Sequence, residues 1–194
     1  MPHPNVDAVV AMSPVTAALD RLGVPYHVCG SLASSAHGLA RSTVDADLVA
    51  DLRDSHVRPL VAALGDQYYA SEPAIRDAIR FRTSFNLIYL PLSYKVDLFI
   101  PKLRPWTQAS VARVRPKRLD PNDPSTEFPF ASPEDTILSK LEWFRAGGET
   151  SERQWLDVLN ILKVQRARLD DPYLDHWAAQ INVADLLHRA RSEV

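Results

Sequence analysis

The sequence predicts an α/β (α+β) fold with a helical C-terminal portion, and three observations lead there. Short apolar runs bounded by glycine and proline alternate with helical patterns as far as residue 131. From Ser132 onward apolar residues recur only at three-four spacing. Three helix starts are marked by a capping residue followed by proline at the first helical position: Ser13-Pro14, Ser132-Pro133 and Asp171-Pro172. Strands followed by a run of helices divide the chain into an α/β core over 1–131 and a helical portion over 132–194, packed on it.

Each element follows from its own residues. "SPVTAALDRLG" predicts a helix opening at Ser13-Pro14 and closing at Gly23. "PYHVCG" reads as a short strand, "SLASSAHG" as a small-residue helix ending at Gly38, and "TVDADLVADL" as the second strand. "SHVRPLVAALG" puts Val57, Leu60, Val61 and Leu64 on one side of a helix that takes Pro59 in its first turns. An arginine-rich stretch follows, with Arg76, Arg80 and Arg82. "SFNLIYLPLSYKVDLFI" then predicts a hairpin turning at Pro91 to Ser93. Residues 102–131 are broken by prolines and predict a short helix with one or two short strands. "PEDTILSKLEWFRAG" and "SERQWLDVLNILKVQ" are helical, and two more helices complete the chain.

Composition narrows the function classes. The chain has 194 residues, of which 46% are hydrophobic, enough for a real core. A net charge of −2 gives no global field toward nucleic acid or membrane, so any polyanion contact needs a local patch. One cysteine, Cys29, forms no internal disulfide and no zinc site by itself, which fits a reducing compartment. No apolar run reaches the length of a membrane span, and Asp7 stands where a signal peptide needs a basic start. These features lead us to expect a cytoplasmic protein without membrane contact.

The costly feature is Asp45-Ala46-Asp47, inside a strand that otherwise reads as buried. Side chains alternate along a strand, so both carboxylates project from one face. Like charges this close repel, and desolvating them costs several kcal/mol each unless a cation compensates. Thirteen residues separate Asp45 from Ser31, which with Gly30 forms a strand-to-helix junction. A glycine there lets a phosphate approach the backbone, and the helix start offers free N–H groups. A third acid, Asp97, lies in "YKVDLFI" with Lys95 and Phe99 on its face. If that strand lies beside the first, three carboxylates converge, and an oxygen-only set of this kind suits Mg²⁺.

Taken together, Gly30-Ser31, Asp45-Ala46-Asp47 and Asp97 resemble the signature of the nucleotidyltransferase superfamily typified by polymerase β. The stretches "GSLASSAHGLARSTVDADL", "YKVDLFIP" and "SPEDTILSKLEWFRAGGETSERQWLDVLNIL" are most similar to AbiEii-type nucleotidyltransferases, many of them toxin components of toxin–antitoxin pairs. This resemblance implies a nucleotidyltransferase-like mixed sheet flanked by helices. It implies Mg²⁺-dependent transfer of a nucleotidyl group from a nucleoside triphosphate to an acceptor hydroxyl on RNA or protein, with an antitoxin-like partner. Asp45 and Asp47 would hold metal, and Asp97 would hold the second ion or act as base. Gly30 and Ser31 would contact the nucleotide phosphates, and Arg41 and Thr43 would position phosphate or the Asp strand. Lys140 would neutralise triphosphate charge, and Asp157 would hold Lys140 or a substrate group. Ala46 departs from the large aliphatic residue usual in the family, which predicts weaker packing behind the strand.

Other readings of the same residues are weaker. A lone Asp-x-Asp also occurs in phosphatases and calcium loops, but the flanking residues they require are absent. A non-catalytic nucleotide- or partner-binding module of the same fold would not need a costly carboxylate cluster. Cys29 reads as a small core residue of the first strand, His27 as a strand residue, and His37 as a helix-end residue. Trp143 and Trp155 read as helix-packing residues. Two basic groups, Lys102 to Arg118 and Arg76 to Arg82, read mainly as solvated surface, with phosphate binding the alternative.

Overall fold

The computed structural model describes residues 5–120 and 123–194. A long first helix, α1 (Val6–Arg21), precedes the short strand β1 (Tyr26–Val28), helix α2 (Gly30–His37) and strand β2 (Asp45–Ala50). Helix α3 (Val57–Leu64), edge strand β3 (Tyr68–Tyr69), helix α4 (Glu72–Phe81) and the hairpin of β4 (Ser84–Tyr89) and β5 (Tyr94–Phe99) follow. Helix α5 (Pro105–Ala112) leads into a second hairpin, β6 (Arg115–Arg118) and β7 (Glu127–Phe130). Helices α6 (Pro133–Ala146), α7 (Glu152–Gln165), α8 (Asp171–Gln180) and α9 (Ala184–Ser192) finish the described chain.

One mixed sheet of seven strands runs in the order β3-β4-β5-β2-β1-β7-β6. Its centre is the parallel pair β2–β5, in which Asp47 lies opposite Asp97 and Leu48 opposite Leu98. Residues alternate along both strands: Ala46, Leu48, Ala50, Val96 and Leu98 are buried, while Asp45, Asp47, Lys95, Asp97 and Phe99 lie on the half-buried face. The apolar face joins Ala8, Ala11, Met12, Val15 and Leu19 of α1 in one core cluster. A second cluster is built by α6 to α9, with Ile137, Leu141, Val158, Ile161, Leu174 and Leu187, and it takes in Trp106 from α5. Among the described residues no helix is long and apolar enough to cross a membrane.

Several expectations change here. The first helix does not start at Ser13-Pro14: it begins at Val6 and carries Pro14 inside. The buried series Ala8, Ala11, Met12, Val15, Ala18 and Leu19 runs through the proline without a break, so packing against the sheet overrides the local start signal. The hydroxyl of Ser13 donates to Val9 O (2.7 Å) instead of capping. Asp170, not Asp171, caps α8, its carboxylate accepting from the Tyr173 N–H. The arginine-rich stretch is helix α4, capped by Ser71 with Pro73 in its first turn. Ser132 caps α6 as the Ser-Pro pair predicts. Ala46 is fully buried in the core behind the strand.

Candidate active site

The acids sit where strand parity puts them. Asp45 and Asp47 share a face of β2, and Asp97 stands in register with Asp47 on the neighbouring strand. Beside them the chain leaves β1, passes through Cys29 in extended conformation, and enters α2 at Gly30 with φ +57°. Only glycine suits this point, for two reasons. The φ is unfavourable to a side chain, and a Cβ would lie 1.8 Å from Asp47 Oδ2. The space at Gly30 is thus filled by a carboxylate of the chain itself, toward which the Ser31 N–H is directed at 3.4 Å.

This carboxylate is poorly compensated. Burial raises the Asp47 pKa, and Asp45 and Asp97 raise it further, against the Ser31 N–H and the more distant Lys140. Thr43 holds Asp45, its hydroxyl 2.8 Å from Oδ1 and 3.1 Å from the Asp45 carbonyl. Asp97 Oδ2 pairs with Lys95 Nζ at 2.7 Å, a contact that raises the lysine pKa. Among the described residues no three His, Cys, Asp or Glu side chains close into a metal cage.

The helical half contributes a second cluster. Arg41 makes a forked pair with Asp157, Nε to Oδ1 at 3.0 Å and Nη2 to Oδ2 at 2.9 Å, and Nη2 also donates to Ser31 Oγ at 2.9 Å. Lys140 Nζ reaches Asp157 Oδ2 at 3.0 Å. Burial alone would raise the Asp157 carboxyl, but Arg41 and Lys140 more than offset it and hold it below the usual range. Gly38 makes this meeting feasible: a Cβ there would press on the backbone of Asn160 and Ile161 in α7, at 3.2–3.3 Å. All nine residues singled out in the sequence therefore gather around one site: Gly30, Ser31, Arg41, Thr43, Asp45, Asp47 and Asp97 on the sheet side, with Lys140 and Asp157 on the helices facing them.

Other residues take different places. His27 and His37 are buried, and burial lowers both to a pKa of about 4. His37 Nε2 lies 2.8 Å from Ala131 O, joining α2 to the end of β7. Cys29 occupies the position just before α2 in extended conformation, its N–H donating to Asp47 O at 2.9 Å, and burial of its thiol, then Asp47, pushes its pKa up. Most basic residues are engaged by the protein: Arg76 with Asp54 and Glu72, Arg104 with Glu142, Arg113 with Glu134 and Asp170, and Arg118 with Glu127. Trp155 is core, as its helical spacing predicts, but Trp143 is 55% exposed and meets Phe99 edge to face at 6.2 Å. Sequence reasoning missed Lys95 as a partner of Asp97, although i and i+2 on a strand share a face.

Comparison with solved structures settles the fold. The antibiotic-resistance factor ANT(2'')-Ia in solution superposes with a TM-score of 0.56 at 14% identity, over 97% of this chain and 95% of that one. A nucleotidyltransferase-like fold is what this chain adopts. A crystal structure of ANT(2'')-Ia with adenylyl-2''-tobramycin gives 0.54 at 14% identity, covering 96% of this chain and 99% of that one. An antigenic nucleotidyltransferase-like protein from Paracoccidioides brasiliensis gives 0.53 at 16% identity, covering 94% and 90%. No family model matches the chain, and no curated protein matches it by sequence. The nucleotidyltransferase-like scaffold thus extends over nearly the whole chain, including the helices that carry Lys140 and Asp157.

Proposed function

We propose that the protein is a Mg²⁺-dependent nucleotidyltransferase that moves a nucleotidyl group from a nucleoside triphosphate to an acceptor hydroxyl, releasing pyrophosphate. The observation that carries this reading is the register of Asp47 and Asp97 on adjacent strands, with Asp45 on the same face, beside the Gly30-Ser31 turn. The fit to a divalent cation is good. The donors are hard oxygens, and among the described residues no cation pairs with Asp47 at contact distance. When bound, Mg²⁺ would neutralise phosphate charge and help align the reacting oxygens.

The chain's own residues supply the rest. Asp45 and Asp47 would hold the cation, with Thr43 fixing the Asp45 rotamer. Asp97 would hold cation or take the acceptor proton once freed from Lys95. Lys140 and Arg41, kept in place by Asp157, would face the triphosphate as fixed positive charge. The AbiEii resemblance supports an RNA or protein acceptor and a toxin-like role with an antitoxin-like partner. The shared fold with ANT(2'')-Ia, seen with adenylyl-2''-tobramycin, supports testing small-molecule hydroxyls beside them.

The experiment is incubation with each labelled triphosphate and Mg²⁺ in the presence of total RNA, cell extract or aminoglycosides, with Asp47→Asn alongside. Label transfer or pyrophosphate release by the wild type alone is expected. A folded wild type that releases no pyrophosphate with any of them would sink the catalytic reading.

A further inference from the structure

An exposed tryptophan next to a charged site needs an explanation. Trp143 lies on α6 three residues after Lys140, on the same helical face and about 4.5 Å further along the axis. It is 55% exposed although it belongs to a helix whose Ile137, Leu138, Leu141 and Phe144 are buried. Its ring meets Phe99, which lies two residues beyond Asp97 on the acid-bearing sheet face, about 6.6 Å along the strand. Phe99 and Trp143 thus form an aromatic corner that continues the site from its charged end. One wall belongs to the strand of Asp97 and the other to the helix of Lys140.

We propose that this corner is the seat of the nucleobase of the donor triphosphate, stacked on Trp143 with Phe99 bracing the indole. The inference rests on the nucleotidyltransferase reading and adds its base-binding subsite. A nucleoside triphosphate is charged at one end and aromatic at the other. The site has the same polarity, with Lys140 and Arg41 at one end and the indole one helical turn away. An edge-to-face neighbour braces the indole, which stays 55% exposed for a base to stack on. Stacking is tolerant of base identity because every base offers a π-face, so the four triphosphates should bind within a few-fold of each other, purines ahead.

The test measures affinities for ATP and for inorganic tripolyphosphate, both with Mg²⁺, in wild type, Trp143→Ala and Trp143→Phe. Trp143→Ala should weaken ATP by about 5- to 150-fold, the range for losing one stacked base. It should leave tripolyphosphate unchanged, and Trp143→Phe should recover most of the loss. The exposure of Trp143 means the alanine variant should fold, which its melting curve checks. Unchanged ATP affinity in Trp143→Ala, even with weaker binding of an RNA acceptor, overturns the proposal. So does a wild type that binds ATP no tighter than tripolyphosphate, an outcome that leaves the nucleotidyltransferase reading standing. A wild type that binds neither overturns both.

Discussion

Two pairs of acids in this protein, one buried and one half-buried, are partnered very differently. Glu134 and Asp135, in the first turn of α6, are surrounded by donors. Asp135 accepts from Ser132 Oγ (2.6 Å), Tyr173 OH (2.7 Å) and Trp106 Nε1 (2.9 Å). Glu134 accepts from the Asp170 N–H (2.9 Å) and pairs with Arg113 (3.1 Å). Burial acts to raise Glu134, but these partners together hold it below its ordinary value. Asp45 and Asp47 have a threonine and one long N–H between them, and burial with mutual repulsion raises Asp47. Burial raises Asp135 too, yet every named neighbour opposes the rise, whereas at Asp47 two of the four neighbours add to it. A structural carboxylate has its lone pairs filled by the protein; one kept for a ligand does not.

The largest effect should come from breaking the satisfied cluster. Asp135→Ala strands the Trp106 N–H and the Tyr173 hydroxyl in the second core, at about 1–3 kcal/mol for each buried donor left unpaired. A stability loss of roughly 3–5 kcal/mol in urea unfolding is expected. A loss under 1 kcal/mol would mean that the contrast between the two pairs is false.

The unsatisfied pair should respond in the other sense. Asp47→Asn should lower transfer by at least about 10²-fold, because an amide is a poor Mg²⁺ ligand and offsets no charge. The metal-free variant should be as stable as the wild type or slightly more so, since a repulsive term is gone. No arginine is left stranded, because Arg41 is held by Asp157. A variant that melts several degrees lower yet keeps activity would show these acids to be structural.

Titration separates the pairs further. Asp47 has a raised pKa in the folded state, so the folded form binds the proton more readily than the unfolded one. Its contribution therefore opposes folding at neutral pH, and this cost fades as pH falls through the raised value toward the ordinary ~3.9. Any advantage of metal-free Asp47→Asn over wild type should be widest near pH 7.5 and close toward pH 4. Glu134 and Asp157 have depressed values, so their stabilisation persists to ordinary carboxylate pKa values and is lost only below them. Comparing the two proteins cancels His27 and His37, which destabilise both between pH ~6.5 and about 4 as the unfolded chain takes up protons. Melting curves of both at four pH values are the check, and a gap that widens in acid would reverse the assignment.

The smallest effect concerns Lys95, which is 44% exposed and competes with any cation for Asp97. Lys95→Met should change stability by less than about 1 kcal/mol, as expected for a partly exposed pair. It should tighten Mn²⁺ binding, measured calorimetrically without nucleotide. Weaker Mn²⁺ binding would mean that Lys95 orients Asp97 for the ion instead of masking it.

What the sequence by itself determined were properties carried by period and by local chemistry. Strand parity places Asp45 with Asp47 and Lys95 with Asp97, because the period of two is a property of the extended backbone. Ser132-Pro133 marks the start of α6, and apolar spacing marks α6 and α7, because capping and amphipathicity act within a few residues. The same local logic failed at Pro14, where a sheet face distant in sequence stabilises a helix through the proline, and at α4, whose Ser71 cap and Ile75–Ala78 spacing were hidden among charges. Only the tertiary structure decided the β2–β5 register that brings Asp97 opposite Asp47, 50 residues away in the chain. It alone decided that Arg41 crosses 116 positions to reach Asp157 instead of the nearby acids. It also left the indole of Trp143 open against Phe99. Contacts of that span depend on which helix lies on which sheet face, and that is set by the sum of burial over the whole core, which no short stretch contains.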